Sequence, residues 1–424
     1  MNRRLRTGLV AAAAALMAPL AGALPAAGLS ATAVAAASAG AVPVPEADPF
    51  YKVPADVAAY RDGQVIRSRP IQAYGWAVPL PGRAWQVLYS TEDFRGRPSA
   101  TVTTILVPDQ PWSGDGPRPL LSYQTAEDGV AGKCAPSYAL HAGAHAGFEN
   151  STAEASEMLM ALEQGWTVSV PDYEGPRSTF LVAGTEAHGV LDGIRAARSF
   201  KPARVSRHAP VGLWGYSGGS YASIVAAEYQ HRYAPELPIR AIAVGGLVGS
   251  VRASIDAFDG SAFGGAIPMG INGFLRAYPG LHLLRYLNAT GRRDVAATAH
   301  DCIAEAVARF PFLSIAQVES RPHALDAKPV TRMLWRNSPL GVRGTPTAPI
   351  YHYHATGDEL APFGAAMDLI RRFCRSGVVV QHVQSPVGEH LTEVVTGSPG
   401  ALRFFQQRFA NRRPIDDCAS LLKR

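Results

Sequence analysis

The 424-residue chain has little charge, and long basic tracts are missing from it. Charged residues make up 17% of the sequence and hydrophobic residues 47%, which excludes a disordered chain and provides apolar material for a large core. Lysine and arginine outnumber aspartate and glutamate by 40 to 34, but they form no run longer than a pair. Scattered basic residues of this kind argue against nucleic-acid binding.

Motifs that bind metals or carry out redox chemistry are also missing. No two cysteines form a C-x-x-C, and the sequence contains no H-E-x-x-H. His352 and His354 form only an H-x-H within a predicted strand, which is too little for a metal site. We therefore expect neither a metal ion nor a cofactor.

A long apolar stretch occurs only near the N-terminus. Arg3, Arg4 and Arg6 precede an alanine-rich run with A-x-A spacings, and the first acidic residue is Glu46. This order is typical of a secretory signal peptide, which we predict over residues 1–41, followed by a secreted mature protein. Prolines and glycines within the run disfavour the alternative of a membrane anchor. No later segment has about 18 consecutive apolar residues, so we expect no transmembrane segment in the mature chain.

The number of cysteines is small but even, which favours two disulfides in an exported protein. Four cysteines allow three connectivities, and four free buried thiols are the alternative. We favour a bond between the third and fourth, because it would join the end of a predicted helix to the C-terminal tail. The cysteines are Cys134, Cys302, Cys374 and Cys418.

Strand and helix patterns alternate along most of the chain. Residues 42–84 are proline-rich and poorly periodic, and we interpret them as an N-terminal arm. Two β-rich runs at 85–91 and 100–108 flank a Gly/Pro turn and predict a hairpin. Helical and strand-like runs then alternate up to residue 246. This order predicts an α/β fold with a mostly parallel central sheet and antiparallel strands at one edge.

The alternation stops over residues 247–345, which contain helical patches and a glycine-rich apolar stretch at 263–274. About 100 residues without a clean strand are too many for a loop. We therefore predict an inserted, mainly helical cap (lid) domain over 247–345. The α/β core then consists of two parts, residues 85–246 and residues 346–424, and we predict its last helix near residues 400–409.

One G-x-S-x-G occurs, as Gly215-Tyr216-Ser217-Gly218-Gly219. An apolar strand pattern leads into it and a helical pattern leaves it, as in a nucleophile elbow. The glycines at 215 and 219 allow the backbone to crowd around a strained serine. We predict that Ser217 is a nucleophile; the alternative is a glycine-rich turn with an ordinary serine.

A serine nucleophile needs a base and an orienting carboxylate, which follow in the chain order Ser, acid, His. Asp358 follows the predicted strand at 348–356, and His390 follows a strand at 378–384 and a turn. We predict that these two residues act with Ser217. Asp368 lies in a helical pattern, and Glu359 would point away from its neighbour. The other candidate histidines are assigned to packed strand positions or to the cap: His352, His354, His382, His282, His300 and His323.

A tetrahedral intermediate also needs backbone N–H donors. The residue after the nucleophile, Gly218, supplies one of them. The second is expected in the loop after the strand at 119–125, within residues 126–129.

Several motifs resemble the secretory lipase family of the α/β-hydrolase superfamily. They are YQTAEDG, VPDYEGP, LWGYSGG, ATGDELAP and GEHLTE, with DPFYKVP at the start, and they extend from residue 48 to residue 418. The resemblance implies an α/β-hydrolase fold with a helical cap. The residues that it implies are a Ser217, Asp358 and His390 triad, oxyanion-hole amides of Asp128 and Gly218, and disulfides Cys134–Cys302 and Cys374–Cys418.

The expected function is that of a secreted lipase. It would hydrolyse carboxylic esters of lipids, such as triacylglycerols, through an acyl-enzyme, with transient contact with lipid interfaces. The same triad would also serve a carboxylesterase or acyltransferase on non-lipid esters, or a peptidase. A binding protein that keeps the fold without activity is a further alternative, against which the intact order of serine, aspartate and histidine argues.

Overall fold

A mixed β-sheet runs through the centre of the protein, whose computed structural model describes residues 42–423. The signal peptide predicted over residues 1–41 lies outside the described residues. The strands are β1 (Val65–Ile71), β2 (Tyr74–Gly75), β3 (Val78–Pro79), β4 (Arg83–Glu92), β5 (Pro98–Val107), β6 (Leu120–Gln124), β7 (Thr167–Pro171), β8 (Val211–Tyr216), β9 (Ile239–Gly245), β10 (Ile350–Ala355) and β11 (Val380–Ser385). The central sheet has nine strands in the order β1-β4-β5-β7-β6-β8-β9-β10-β11, and β2 and β3 pair separately.

The central sheet is antiparallel at one edge and parallel over the rest. The pairs β1–β4, β4–β5 and β5–β7 are antiparallel. All pairs from β7 through β6, β8, β9 and β10 to β11 are parallel. The hairpin predicted at 85–91 and 100–108 is β4–β5. The prediction of a mostly parallel α/β sheet with antiparallel edge strands is confirmed.

Strand β1 lies in the segment that the sequence indicated as an irregular arm. Its sequence, VIRSRPI, contains a proline and two arginines and shows no clean apolar alternation. It pairs with β4 at the edge of the sheet. An edge strand tolerates proline and arginine because one of its sides needs no partner strand. Pairing with β4, rather than a local pattern, therefore determines this strand.

Helices pack on both faces of the central sheet. They are α1 (Pro136–Ala142), α2 (Asn150–Ala153), α3 (Ala155–Glu163), α4 (Ala183–Ser199), α5 (Gly218–Tyr233), α6 (Val251–Phe258), α7 (Ala266–Ala277), α8 (Ala289–Ala297), α9 (Ile303–Arg309), α10 (Ile315–Val318), α11 (Lys328–Arg336), α12 (Phe363–Arg375), α13 (His390–Phe409) and α14 (Cys418–Leu421). One buried core joins α4, α5 and α12 to the sheet face that carries Leu213. A second core joins α3 and α13 to the face that carries Trp214.

Residues 247–345 contain α6 to α11, and no strand of the central sheet lies among these described residues. Phe274 and Leu283 from this segment belong to the same buried core as α4 and α5. Residues 42–423 belong to one compact unit. The boundaries between arm, core and cap therefore stay a proposal.

The last long helix, α13, begins at His390, well before the start predicted near residue 400. The side chain of Glu389 accepts hydrogen bonds from the backbone N–H groups of Leu391 and Thr392, which satisfies the free donors of the first turn. Pro399 lies inside the helix. Glu389, as the N-cap residue, therefore sets the start of helix α13. This early start places His390 in the first turn of a long helix.

Two disulfides are present among the described residues. They join Cys134 to Cys302 and Cys374 to Cys418, which are the pairs that the family resemblance implies. Over residues 42–423, no helix combines the length and the apolar character that crossing a bilayer requires.

Candidate active site

Ser217 lies in the sharp turn between β8 and α5. Its φ of 52° falls in a region that residues other than glycine rarely adopt. A Cβ at Gly219 would lie 1.9 Å from the carbonyl oxygen of Gln124, so only glycine lets α5 begin this close to β6. The serine itself is half-buried, between a buried strand and a buried first turn of α5. The local geometry is that of the strained elbow indicated by the G-x-S-x-G motif.

The imidazole of His390 contacts both Ser217 and Asp358. Its Nε2 lies 2.7 Å from Oγ of Ser217, and its Nδ1 lies 2.8 Å from Oδ2 of Asp358. When Nδ1–H donates to the carboxylate, Nε2 is free to accept the hydroxyl proton. The three residues follow β8, β10 and β11, whose carboxyl ends lie at one edge of the sheet. The structure thus brings together the three side chains that the sequence indicated.

Four N–H groups hold the carboxylate of Asp358. The backbone N–H groups of Leu360 and Ala361 donate to Oδ1 at 3.0 and 2.7 Å. His390 Nδ1 and His354 Nε2 lie 2.8 and 3.1 Å from Oδ2. Burial by itself raises the pKa of Asp358, but the hydrogen bonds from the two histidines outweigh it and hold the pKa below its ordinary value. Asp358 is therefore ionised.

The backbone of His390 is held from two sides. Its N–H donates to Oε2 of Glu359 at 3.1 Å, and its carbonyl oxygen accepts from the hydroxyl of Tyr216 at 2.6 Å. Sequence reasoning set Glu359 aside because it points away from Asp358. The side chain of Glu359 instead holds the main chain of His390. The only sign of this contact in the sequence is that Glu359 stands next to Asp358.

Asp128 and Gly218 lie side by side at the start of α5. A Cβ at Gly218 would be 2.0 Å from Oδ1 of Asp128. Asp128 has a φ of 30°, which is unusual for a residue with a side chain. Burial raises the pKa of Asp128 to about 6, although the nearby His390 opposes this shift. The two residues that the resemblance assigns to the oxyanion hole are therefore neighbours in space.

The loop that carries Asp128 is fixed by buried side chains. Glu154 accepts from the backbone N–H of Ala126 at 2.9 Å and from the hydroxyl of Tyr123 at 2.7 Å. The hydroxyl of Tyr173 accepts from the N–H of Glu127 at 2.9 Å. Sequence reasoning missed Glu154, because an acid within a helical pattern looks the same as one that faces solvent.

The same loop is tied to the start of α9. The carbonyl oxygen of Asp128 accepts from the N–H of Ile303 at 2.9 Å, and Gly129 forms an antiparallel bridge with Cys302. The disulfide from Cys302 to Cys134 closes this connection. The position of Asp128 therefore depends on Cys302 and Ile303, which lie in a distant part of the chain.

Comparisons with known proteins give a consistent result. The family model for "Secretory lipase" matches residues 145–417. "Lipase 6" of Candida albicans is 32% identical over 391 residues, which cover 88% of this chain and 84% of that protein. The "Probable inactive lipase" of Mycobacterium tuberculosis is 33% identical over 378 residues, with the same coverage of 88% and 84%. The crystal structure of Candida antarctica lipase A in its closed state superposes with a TM-score of 0.82 at 28% identity, covering 90% of each chain.

Proposed function

Because the chain belongs to the secretory lipase family and is therefore a carboxylic ester hydrolase, we propose that it is a secreted triacylglycerol lipase with a Ser217, His390 and Asp358 triad. One observation carries the proposal. An unbroken hydrogen-bond chain runs from Oγ of Ser217 through His390 to Asp358, with distances of 2.7 and 2.8 Å. This is the arrangement that turns a weak alcohol into a nucleophile.

The reaction proceeds in two halves. His390 Nε2 takes the hydroxyl proton as Oγ of Ser217 attacks the ester carbonyl carbon, and the resulting oxyanion accepts hydrogen bonds from the backbone N–H groups of Gly218 and Asp128. The intermediate collapses, and the alcohol leaves with the proton from His390 while the acyl group stays on Ser217. Water then repeats the sequence, which releases the fatty acid and restores the hydroxyl.

A lipid substrate is supported by the surface next to His390. Val387, Leu391 and Val395 are 86%, 63% and 67% exposed, and they recur every four residues from the turn before α13 into its first turns. Within α13, Leu391 and Val395 are four residues apart and therefore lie on one face of the helix, and Val387 lies in the turn before it. The side chain of Glu389 beside them is engaged in capping α13. An apolar surface of this kind suits a neutral lipid interface.

The acyl chain is assigned to the cap. Met269 of α7 belongs to the same buried cluster as Val130, which lies two residues after Asp128, so α7 is packed next to the oxyanion loop. Met269 and Phe274 are buried in packed cores, whereas Phe263 and Ile271 are half-buried. We assign the half-buried positions to the path of a long acyl chain, and residues 247–345 to the choice of chain length.

Secretion is supported by the family, whose members are secretory lipases, and by the disulfides. Disulfides form and persist in oxidising compartments outside the cytosol. The signal peptide over residues 1–41 stays a prediction.

The alternatives to a lipase on this scaffold are a carboxylesterase, an acyltransferase, a peptidase and a binding protein without activity. One relative at 33% identity is named a probable inactive lipase, so the contacts at the nucleophile of this chain are the relevant comparison. The intact contacts of Ser217 and His390 favour a working enzyme.

The test uses the purified mature protein and Ser217→Ala. We expect a fluorophosphonate to label Ser217, and the protein to hydrolyse a triolein emulsion and p-nitrophenyl esters but not matched anilides. Ser217→Ala should lower kcat by about 10⁶-fold, as in other serine triads. Retention of more than a few per cent of activity would exclude Ser217 as the nucleophile. Cleavage of anilides but not of triolein would identify a peptidase instead.

A further inference from the structure

His354 contacts the carboxylate that orients the catalytic base. It lies on β10, is fully buried and precedes Asp358 by one short turn. Its Nε2 is 3.1 Å from Oδ2 of Asp358, the same oxygen that His390 contacts at 2.8 Å. The same nitrogen also lies 2.9 Å from the carbonyl oxygen of Ala361. The proposed reaction needs only one histidine at this oxygen, and the second has no role in it.

The surroundings of His354 determine which of its nitrogens carries the proton. The backbone N–H of Leu247 lies 3.2 Å from Nδ1, and a backbone N–H can only donate. Nδ1 is therefore an acceptor, and the proton resides on Nε2, which is within reach of both Oδ2 of Asp358 and the carbonyl oxygen of Ala361. His354 is thus a neutral donor to the carboxylate.

Two further histidines extend this arrangement towards the edge of the sheet. His352 Nε2 lies 3.3 Å from His354 Nδ1, and its Nδ1 lies 2.9 Å from Nδ1 of His382. Burial and the neighbouring histidines hold the pKa of His352 well below its ordinary value, so this ring is neutral. Because Nδ1 of His354 already accepts from Leu247, the proton between the two rings belongs to Nε2 of His352.

Sharing one oxygen has a consequence for His390. Each N–H that donates to Oδ2 withdraws part of the negative charge that the other donor feels. His354 therefore keeps Asp358 ionised and in position, and it also moderates how strongly Asp358 stabilises protonated His390. His352 and, beyond it, His382 adjoin His354. Tyr216, Asp128 and Glu359 contact or act on His390, and the charges of Glu389 and Glu393 act on Tyr216.

We propose that His354 is a positioning residue of the active site, a neutral Nε2–H donor that holds the carboxylate of Asp358 for His390. The inference rests on the proposed function of Ser217, His390 and Asp358. A histidine that only fills space in the sheet would leave the pH dependence of the reaction unchanged when replaced, which separates the two roles.

The experiment compares His354→Leu with His354→Gln on a soluble p-nitrophenyl ester. Leucine keeps an apolar side chain of similar reach but cannot donate, whereas the glutamine amide can donate from nearly the position of Nε2. We expect kcat of His354→Leu to fall about tenfold with KM little changed, because a hydrogen bond to a charged group is lost. His354→Gln should recover most of the loss. His231→Leu, at an exposed histidine near the end of α5, is the matched control and should behave as wild type.

The pH profile is the readout that a purely structural role would not move. The acid limb of kcat/KM reports the pKa of the catalytic base in the free enzyme. In His354→Leu the charge of Asp358 is no longer shared with a second donor, so it stabilises protonated His390 more strongly. The acid limb should therefore move to higher pH by about half a unit. A folded His354→Leu with wild-type kcat and an unmoved acid limb would overturn the proposal.

A measurement on the wild-type protein guards against a variant that fails to fold. Nitrogen NMR of the imidazoles should show His354 as the Nε2–H tautomer, and a proton on Nδ1 would overturn the proposal. Labelling of Ser217 by a fluorophosphonate distinguishes failure of the proposed function from failure of the proposal about His354. If wild type is not labelled, the proposed function fails; if it is labelled and His354→Leu matches wild type, only the role of His354 fails.

Discussion

Oδ1 of Asp128 occupies the space that a side chain on Gly218 would need, since a Cβ there would lie 2.0 Å away. Gly218→Ala should therefore push the oxyanion loop away from Ser217. We expect kcat to fall about 100-fold or more with KM little changed, because the N–H donors act only on the transition state. Gly364→Ala in α12, where a Cβ meets open space, is the matched control. Equal kcat for both variants would contradict the assignment of this loop.

Removal of the two disulfides should have different effects on stability and activity. They close segments with sequence separations of 168 for Cys134–Cys302 and 44 for Cys374–Cys418. Loop-closure entropy predicts stabilisation of about 5 and about 4 kcal/mol for the two bonds. Only the first bond lies next to the oxyanion loop, through the Gly129 bridge.

We therefore expect the double Cys→Ser variant at 134 and 302 to lose kcat as well as stability. The variant at 374 and 418 should lose stability alone. Urea unfolding and kcat at a temperature where both variants are folded give the comparison. Non-reducing peptide mapping checks the pairing, and a linked Cys134–Cys418 peptide would refute it.

The buried carboxyl groups should make the fold more stable in mild acid. Burial raises the pKa of Asp128 to about 6 and that of Asp172 to about 7, although hydrogen bonds from Ser137 oppose the shift at Asp172. In the unfolded chain these groups lose their protons near pH 4. Between about pH 4 and 7 the folded protein therefore binds more protons than the unfolded one, and the free energy of unfolding falls as pH rises.

We expect a higher Tm at pH 5 than at pH 8, measured by calorimetry. Asp358 contributes the opposite slope, because its pKa is lowered, but only in more acidic solution, below its ordinary pKa. Asp172→Asn, which keeps an acceptor for Ser137, should reduce the difference between the two pH values. A Tm that rises from pH 5 to pH 8 would show that these carboxyl groups are ionised in the folded state.

The apolar face next to His390 should matter only at an interface. Val395→Ser removes apolar area that would enter a lipid surface, so we expect adsorption to a triolein emulsion to weaken about threefold to tenfold. Hydrolysis of soluble p-nitrophenyl butyrate should not change. Val78 is also 67% exposed but lies in the β2–β3 hairpin, so Val78→Ser is the matched control. Equal effects of both changes would remove the support for this face as a lipid contact.

The acyl path through the cap can be tested at Gly270. A Cβ there meets open space, whereas one at Gly265 would lie 1.9 Å from the carbonyl oxygen of Ala306, so a bulky residue at 265 would disturb the packing itself. Gly270→Trp should reduce hydrolysis of a C12 ester selectively, and a C4 ester should be little affected. Gly280→Trp, also in open space, is the control. Equal loss on both esters, or loss on neither, would exclude an acyl path here.

The structural features that the sequence did not predict share a physical cause. β1 has no local signal because it is stabilised by pairing with β4, and α13 begins early because Glu389 happens to cap it. Sequence reasoning assigned His354 to the packed interior of a strand. Its burial agrees with that interpretation, but its contact with Asp358 depends on how the chain turns after β10. A side chain that acts on another through space leaves no spacing rule in the sequence.

The alternation of strands and helices and the elbow at Ser217 could be predicted from the residues, because they depend on apolar periodicity and on closely spaced glycines in the chain. Asp358 and His390 could be indicated through their order after predicted strands. The groups that orient these two side chains depend on the folded arrangement. Asp358 accepts from His354, and His390 is anchored by Glu359 and Tyr216, because parallel pairing and α13 bring these separate segments to one edge of the sheet.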